Sequence, residues 1–225
     1  RKGLTPQISL NYSSSAGGSW LGYGWDLNQG FIQRSTKRGV PTYDDSRDTF
    51  ILSLIGKQSE LVKISGTEYH ARDESGEFLK VTDVGDHWVA LDKAGTEYLL
   101  GATLQARQTN SMGIFAWYLE KTKDVHGNTI TYTYVHDGGQ IYLDQIDYNG
   151  NEDQNFASTH SIDFILENRT DPTFSYLTGE KVTTNLRLKE IQVRVQGQLS
   201  KKYVFSFGEA PDTGKSRLSQ VRECG

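Results

Sequence analysis

Asn128-Thr129-Ile130-Thr131-Tyr132-Thr133-Tyr134 places Ile130, Tyr132 and Tyr134 on one face of an extended chain and Thr129, Thr131 and Thr133 on the other. Period-two alternation of β-branched and aromatic residues is the pattern of a half-buried strand. The same alternation recurs in Gln7-Ile8-Ser9-Leu10-Asn11-Tyr12, Glu190-Ile191-Gln192-Val193-Arg194-Val195 and Lys202-Tyr203-Val204-Phe205-Ser206-Phe207. Between the last two, Gly197-Gln198 reads as a hairpin turn. Helical spacing is nearly absent. The best candidate, Phe115-Ala116-Trp117-Tyr118-Leu119-Glu120, is short and aromatic and reads better as a buried strand.

Turns follow a recurring scheme. Asp73-Glu74-Ser75-Gly76 leads to Phe78, Asp92-Lys93-Ala94-Gly95 to Tyr98, and Asp124-Val125-His126-Gly127 to Ile130 and Tyr132. In each, Asp caps the turn through the backbone, Gly supplies positive φ, and a strand carrying an aromatic is expected next. The spacing is too irregular for a propeller and suits a meander. The expectation is an all-β chain: one large, antiparallel, meander-like twisted sheet, a partial shell or sandwich, with exposed edges that continue into sequence outside this chain. Residues 1–225 read as a single domain. Ser13–Ser19 is a flexible surface loop by composition, and the polar stretch 149–159 is the candidate long loop or internal boundary.

Composition bounds the function. The 225 residues carry a net charge of −4, one Cys, four Trp, twelve Tyr, nine Phe and 23 Gly. Mean hydropathy is −0.57. A Tyr- and Gly-rich chain of this kind suits solvated β-sheet. Mild acidity argues against nucleic acid, whose phosphates need a basic stripe. No apolar run approaches the ~20 residues of a membrane span. Cys224 cannot form an internal disulfide. The absence of an initial Met and the stop at Glu223-Cys224-Gly225 are what an excised piece of a longer polypeptide would show.

Reactive motifs fare poorly. Gly22-Tyr23-Gly24 lacks the third glycine and helix of a dinucleotide loop, and no Gly-x-Ser-x-Gly elbow occurs. His70, His87, His126, His136 and His160 have no metal-ligand spacing to one another or to Cys224. Oxygen donors alternate in Asp147-Tyr148-Asn149-Gly150-Asn151, so Asp147, Asn149 and Asn151 are a candidate Ca²⁺ ledge, although the sixth-position Gly and twelfth-position Glu of a helix-loop-helix calcium site are missing. No catalytic residue, cofactor or metal site is assigned.

The most distinctive stretch is a strand, a Ser/Gly loop and an aromatic-glycine corner. It runs Pro6, Ile8, Leu10, Tyr12-Ser13-Ser14, then Trp20-Leu21-Gly22-Tyr23-Gly24-Trp25-Asp26-Leu27, then Ile32 and Arg34. Gly22 and Gly24 let the backbone turn while Leu21, Trp25 and Leu27 enter the core. In this order the residues resemble the opening of the SpvB-type domain, found at the N-terminus of the Salmonella virulence-plasmid B protein and of the B components of insecticidal toxin complexes. The similarity continues through Lys123-Asp124-Val125-His126-Gly127-Asn128, Phe164 with Glu167, Arg169 and Asp171, Ser175-Tyr176-Leu177-Thr178-Gly179, Arg187-Leu188, and Ser216-Arg217-Leu218. It is weakest between about Gly39 and Thr109.

That resemblance implies a non-catalytic structural domain of a secreted bacterial toxin, part of a β-sheet shell that encloses or presents a C-terminal effector. Its implied partners are the downstream shell and repeat regions of the same polypeptide and other toxin-complex subunits. The actin-modifying ADP-ribosyltransferase of the Salmonella relative lies in a separate domain. Such an enzyme needs a Glu-x-Glu pair, and the nearest approach here is Glu74-Ser75-Gly76-Glu77. The alternative reading is a cell-surface adhesion or glycan-binding module that stacks sugars on exposed Tyr and Trp.

Overall fold

The computed structural model describes residues 4–14, 17–73, 76 and 78–225. Arg1-Lys2-Gly3, the centre of the Ser/Gly loop at Ser15 and Ala16, and Glu74, Ser75 and Glu77 of the first Asp-to-Gly turn lie outside the described residues.

Among the described residues the chain is all-β apart from one 3-10 turn at Leu104–Ala106. Four short strands open it: β1 (Leu10–Tyr12), β2 (Gly18–Ser19), β3 (Gly22–Tyr23) and β4 (Trp25–Leu27). They form two small ribbons, β1 with β4 and β2 with β3. The remainder builds one 15-stranded antiparallel sheet. Its first part comprises β5 (Phe31–Arg34), β6 (Phe50–Leu54), β7 (Lys57–Ser65), β8 (Glu68–Ala71), β9 (Lys80–Asp83), β10 (Trp88–Leu91), β11 (Glu97–Leu100), β12 (Arg107–Asn110) and β13 (Gly113–Lys123). Then follow β14 (Asn128–Asp137), β15 (Gln140–Asn151), β16 (His160–Ser175), β17 (Val182–Val195), β18 (Gln198–Glu209) and β19 (Ser216–Cys224).

β13 organises the whole. It pairs with β5 through Ala116–Tyr118 and with β11 through Leu119–Lys123. Those two pairings close β5 to β11 and β13 into an eight-stranded barrel. Eight strands leave an interior just wide enough for side chains to fill. Here it holds Phe50, Tyr69, Trp88 and Trp117, with ring centroids 5.0 Å apart for Phe50–Trp88 and 5.9 Å for Trp88–Trp117, both edge to face. The far end of β13 pairs with β14, and an open meander runs from there to β19. A second core lies on this meander, where Trp20, Leu21 and Leu27 of the N-terminal ribbons pack with Tyr142, Phe164, Leu188, Ile191 and Phe205.

Phe115–Glu120 is indeed strand, and Phe115, Trp117 and Leu119 are all buried. The Asp92 and Asp124 turns are built alike. Asp92 Oδ1 accepts the Ala94 and Thr96 amides at 2.8 and 2.9 Å, and Asp124 Oδ1 accepts the His126 and Asn128 amides, both at 2.9 Å.

Three local expectations need correction. Alternation over Gln7–Tyr12 suggests six strand residues, but only Leu10–Tyr12 pair, because the partner β4 ends at Leu27. Beyond it a single Asn28 amide bonds to the Ser9 carbonyl at 3.0 Å. The β17–β18 turn is Gln196-Gly197, one residue earlier than the sequence suggests, with φ of 50° and 77°. Positive φ at both central residues is the mirror-image turn that matches strand twist. Phe78 does not begin a strand; it is exposed at φ 50°, and β9 starts at Lys80. The stretch 152–159 connects β15 to β16, which pair directly with each other in the second core.

Candidate functional site

The corner at Gly18–Leu27 is anchored on the second core by backbone, hydroxyl and ring contacts. Gly18 pairs with Tyr23 and Ser19 with Gly22, so Trp20-Leu21 is the two-residue loop of a minimal hairpin. That geometry drives both loop side chains into the core, where Leu21 is fully buried. Gly22 has φ +90°, and a Cβ there would lie 2.9 Å from the Ser216 carbonyl oxygen and 3.2 Å from the Leu218 nitrogen. Glycine is therefore required twice, by conformation and by the closeness of β19. Gly24, at φ +80°, turns the chain again beneath the Tyr12 ring. The Ser19 hydroxyl accepts the Leu21 amide at 2.9 Å and donates to the Trp25 carbonyl. The Leu188 amide donates to the Trp20 carbonyl at 2.9 Å. Trp20 meets Tyr142 edge to face at 6.2 Å and Phe164 at 6.1 Å. Trp25, expected in the core, is only partly buried and packs at its margin against Tyr12 at 5.2 Å.

A polar network locks this corner to the C-terminal strands. Arg169 on β16 donates to the Ser19 carbonyl and grips Asp171 through two bonds of 3.2 Å. Asp171 also accepts the Ser216 amide and hydroxyl, each at 2.7 Å. Ser216 in turn accepts from Arg187 at 3.1 Å, and Arg187 donates to Glu167 at 2.7 Å while its guanidinium lies 4.7 Å from the Phe207 ring centroid. Burial pushes the Asp171 carboxyl up, but the bonds from Arg169 and Ser216 outweigh it and hold the group well below the usual carboxylate range. The Arg169 and Asp171 side chains are 1% and 11% exposed, so this is a buried charge pair with its hydrogen bonds satisfied.

Arg34 provides the equivalent clamp on the barrel. It donates to the Ile114 carbonyl at 2.8 Å, pairs with Asp48 at 2.9 Å and Asp45 at 2.7 Å, and lies 5.2–5.6 Å from the Tyr43, Phe50 and Trp117 rings. Asp48 accepts the Thr42 and Tyr43 amides at 2.8 Å each, and the Tyr43 hydroxyl donates to the Thr178 carbonyl at 2.5 Å. The 35–49 loop is thereby tied to the β16–β17 turn.

The sequence-level candidates for chemistry do not converge. Asn149 occupies a bulge between Tyr148 and Gly150 with φ 66°, which breaks the alternation on which the Ca²⁺ ledge depended. Asn149 bonds Thr159 at 3.1 Å, whereas Asn151 is buried and donates to the His126 carbonyl at 2.9 Å. Burial, then the nearby Asp163, pushes the Asp147 carboxyl up. Among the described residues, no group of three or more His, Cys, Asp or Glu is placed to hold a metal. The histidines are dispersed, with His70 against Glu68 at 3.0 Å, His87 against Asp86 at 2.6 Å and His136 against the Gln105 carbonyl at 2.9 Å. Among the described residues no helix is long and apolar enough to cross a membrane. Sequence reading missed the Arg169–Asp171–Ser216 network as a physical unit, since its members are up to 47 positions apart and carry no motif.

Comparison with known proteins places this architecture. The chain is similar to the mono(ADP-ribosyl)transferases SpvB of Salmonella choleraesuis and Salmonella enteritidis, each 31% identical over 67% of this chain. It spans about 30% of the length of those relatives. Among solved structures, the N-terminal domain of effector protein SpvB from Salmonella typhimurium superposes with a TM-score of 0.84 at 20% identity, covering 99% of this chain and 95% of that one. The TcdB2–TccC3 structure matches with a TM-score of 0.82 at 21% identity over 98% of this chain and 14% of the other. The Photorhabdus luminescens Tc holotoxin pore gives 0.79 at 22% identity, covering 97% and 14%. A family described as Salmonella virulence plasmid 65kDa B protein matches residues 1–82 and 68–216. With the corner, the meander and the sequence match in agreement, the chain belongs to the SpvB family.

Proposed function

We propose that this chain is a non-catalytic wall domain of a secreted bacterial toxin, a single unit over residues 1–225. In this reading its open sheet continues into further strands of the same polypeptide to enclose or present a C-terminal effector. The observation that carries the proposal is the state of β19. Among the described residues no strand other than β18 pairs with it in the sheet order, and from Ser219 to Glu223 both faces are exposed, Val221 at 41%. A strand whose last residues have one unpaired edge and both faces exposed is a template for further strand pairing. The charges of Arg217, Arg222 and Glu223 blunt it against indiscriminate association. The likeness to TcdB2–TccC3, in which the matching region is 14% of a much longer chain, supports a place in a larger assembly. Toxin-complex subunits are the corresponding partners.

Limited proteolysis of the natural polypeptide tests enclosure. The region following this domain is expected to resist cleavage until the wall is opened, for example by disrupting the Arg169–Asp171 lock with Asp171→Asn. Equal cleavage rates with the wall intact and disrupted would refute it.

A glycan-binding role is the second reading. It rests on the exposed Phe174–Tyr176 pair, whose rings stand edge to face at 6.0 Å, beside Leu177. Specific glycan-array binding abolished by Tyr176→Ala would favour it over the wall.

A further inference from the structure

Two halves of the chain meet along a seam: the barrel with β12 and the 35–49 loop on one side, the meander with the N-terminal ribbons on the other. The backbone crosses that seam at two places, 28–30 and 124–127. Among the described residues, main-chain hydrogen bonds cross it only at the neck where β13 meets β14, over the pairs Lys121–Thr131, Thr122–Ile130 and Lys123–Thr129. Beside the neck, Tyr132 packs against both cores. Hollows of roughly 290 and 420 Å³ lie along the seam. Leu54 and Tyr98 of the barrel line the first together with Ile130 and Ile146 of the meander, and Phe31 and Tyr118 line the second together with Ile141 and Phe174. Protein interiors are close-packed, so unfilled space along one seam leaves the halves room to move there.

Away from the neck, every hydrogen bond across the seam among the described residues involves a side chain. His136 bonds the Gln105 carbonyl, and Gln108 donates to the Gly139 carbonyl, both at 2.9 Å. The densest group gathers at the β16–β17 turn. The Thr178 carbonyl accepts from the Tyr43 hydroxyl at 2.5 Å and from Asn110 Nδ2 at 2.8 Å, and Asn110 Nδ2 also donates to the Tyr43 hydroxyl at 2.6 Å. Next to them, Ser111 donates to Glu180 through its amide and hydroxyl. β13 runs from one tie to the other, its Gly113 end at these fastenings and its Lys123 end at the neck. A short main-chain pivot, empty space beside it and side-chain fastenings at the other end are the parts of a hinge with a catch. We propose that barrel and meander turn about the β13–β14 neck, and that the Tyr43–Asn110–Thr178 contact is the catch that holds them closed. Opening lifts the β16–β17 turn from the 35–49 loop. The inference stands apart from the wall reading, since it concerns motion inside the chain and not its free edge.

Asn110→Asp is the selective perturbation. Asn110 Oδ1 accepts the Met112 and Gly113 amides at 2.9 and 3.2 Å, and a carboxylate keeps those bonds. Its second oxygen cannot donate and sets an acceptor against the Thr178 carbonyl. Nitroxide labels on Ser65→Cys of β7 and Lys189→Cys of β17, both exposed positions, in a Cys224→Ser background, report the separation of the halves by double electron–electron resonance. One narrow distance is expected with Asn110 in place, and a second, displaced distance with Asn110→Asp. Tyr43→Phe should give a smaller second population. Amide exchange in β6, β7, β14 and β15 should change by less than about threefold, because neither half unfolds. Distance distributions unchanged in both variants overturn the proposal. So does a second distance that appears only together with lost protection in those strands, which is unfolding. Tyr43→Phe adds no charge and decides the matter if Asn110→Asp folds poorly.

Discussion

Replacing Gly22 with alanine probes how closely the corner is fitted to β19. Two costs add. Holding a Cβ-bearing residue at positive φ costs roughly 1–2 kcal/mol. The new Cβ would also sit 2.9 Å from the Ser216 carbonyl oxygen and 3.2 Å from the Leu218 nitrogen, both backbone atoms that cannot rotate away. Shifting a packed strand by a few tenths of an ångström costs about 1–3 kcal/mol. The expected total is about 2–5 kcal/mol. Gly197→Ala separates the two costs, because Gly197 has φ +77° and a Cβ there would meet nothing within 4 Å, so only the conformational cost applies. Urea unfolding of the two variants, read as midpoints at constant m-value, gives the difference. Gly22→Ala should be the more destabilised by about 1–3 kcal/mol. Equal losses would refute the idea that the corner is seated against β19.

The Asp171 lock makes stability pH-dependent with a defined sign. Its folded pKa is depressed, so its contribution is complete above the unfolded value of about 4 and is lost as pH falls below it. Urea stability of the unaltered chain should therefore fall as pH drops from about 5 to about 3, while Asp171→Asn is weaker by about 3–5 kcal/mol near neutral pH and shows a flatter slope in the acid range. Identical slopes would remove Asp171 from this role. Arg34→Lys keeps the charge but loses the planar fork and ring contacts, so a loss of about 1–3 kcal/mol and faster proteolysis of the 35–49 loop are expected. Unchanged cleavage would count against the clamp. Asp124→Ala removes the turn acceptor for two amides and should lower stability by about 1–2 kcal/mol in thermal or urea melts, with no loss indicating that water replaces the carboxylate freely.

Strands were legible wherever alternation was long, as at Asn128–Tyr134 and Glu190–Val195, because a two-residue period is local information. Turns were legible where Asp and Gly enforced them, as at Asp92 and Asp124. Sequence did not reveal that β13 pairs with both β5 and β11, since barrel closure depends on contacts about 20 to 85 positions apart that leave no periodic trace. It also misjudged Asn149, where a single bulged residue moves every later side chain to the opposite face. Arg169, Asp171 and Ser216 entered only as members of a resemblance; their physical bond emerges once β16 and β19 are brought together.

Amide hydrogen exchange along β19 is the most direct measure of whether this chain is a wall segment. In the 225-residue chain, the β19 amides within Ser219–Glu223 that are directed away from β18 should exchange rapidly. In the natural polypeptide the same amides should be protected by a following strand, by at least a hundredfold. Equally fast exchange in both would contradict the continuing wall.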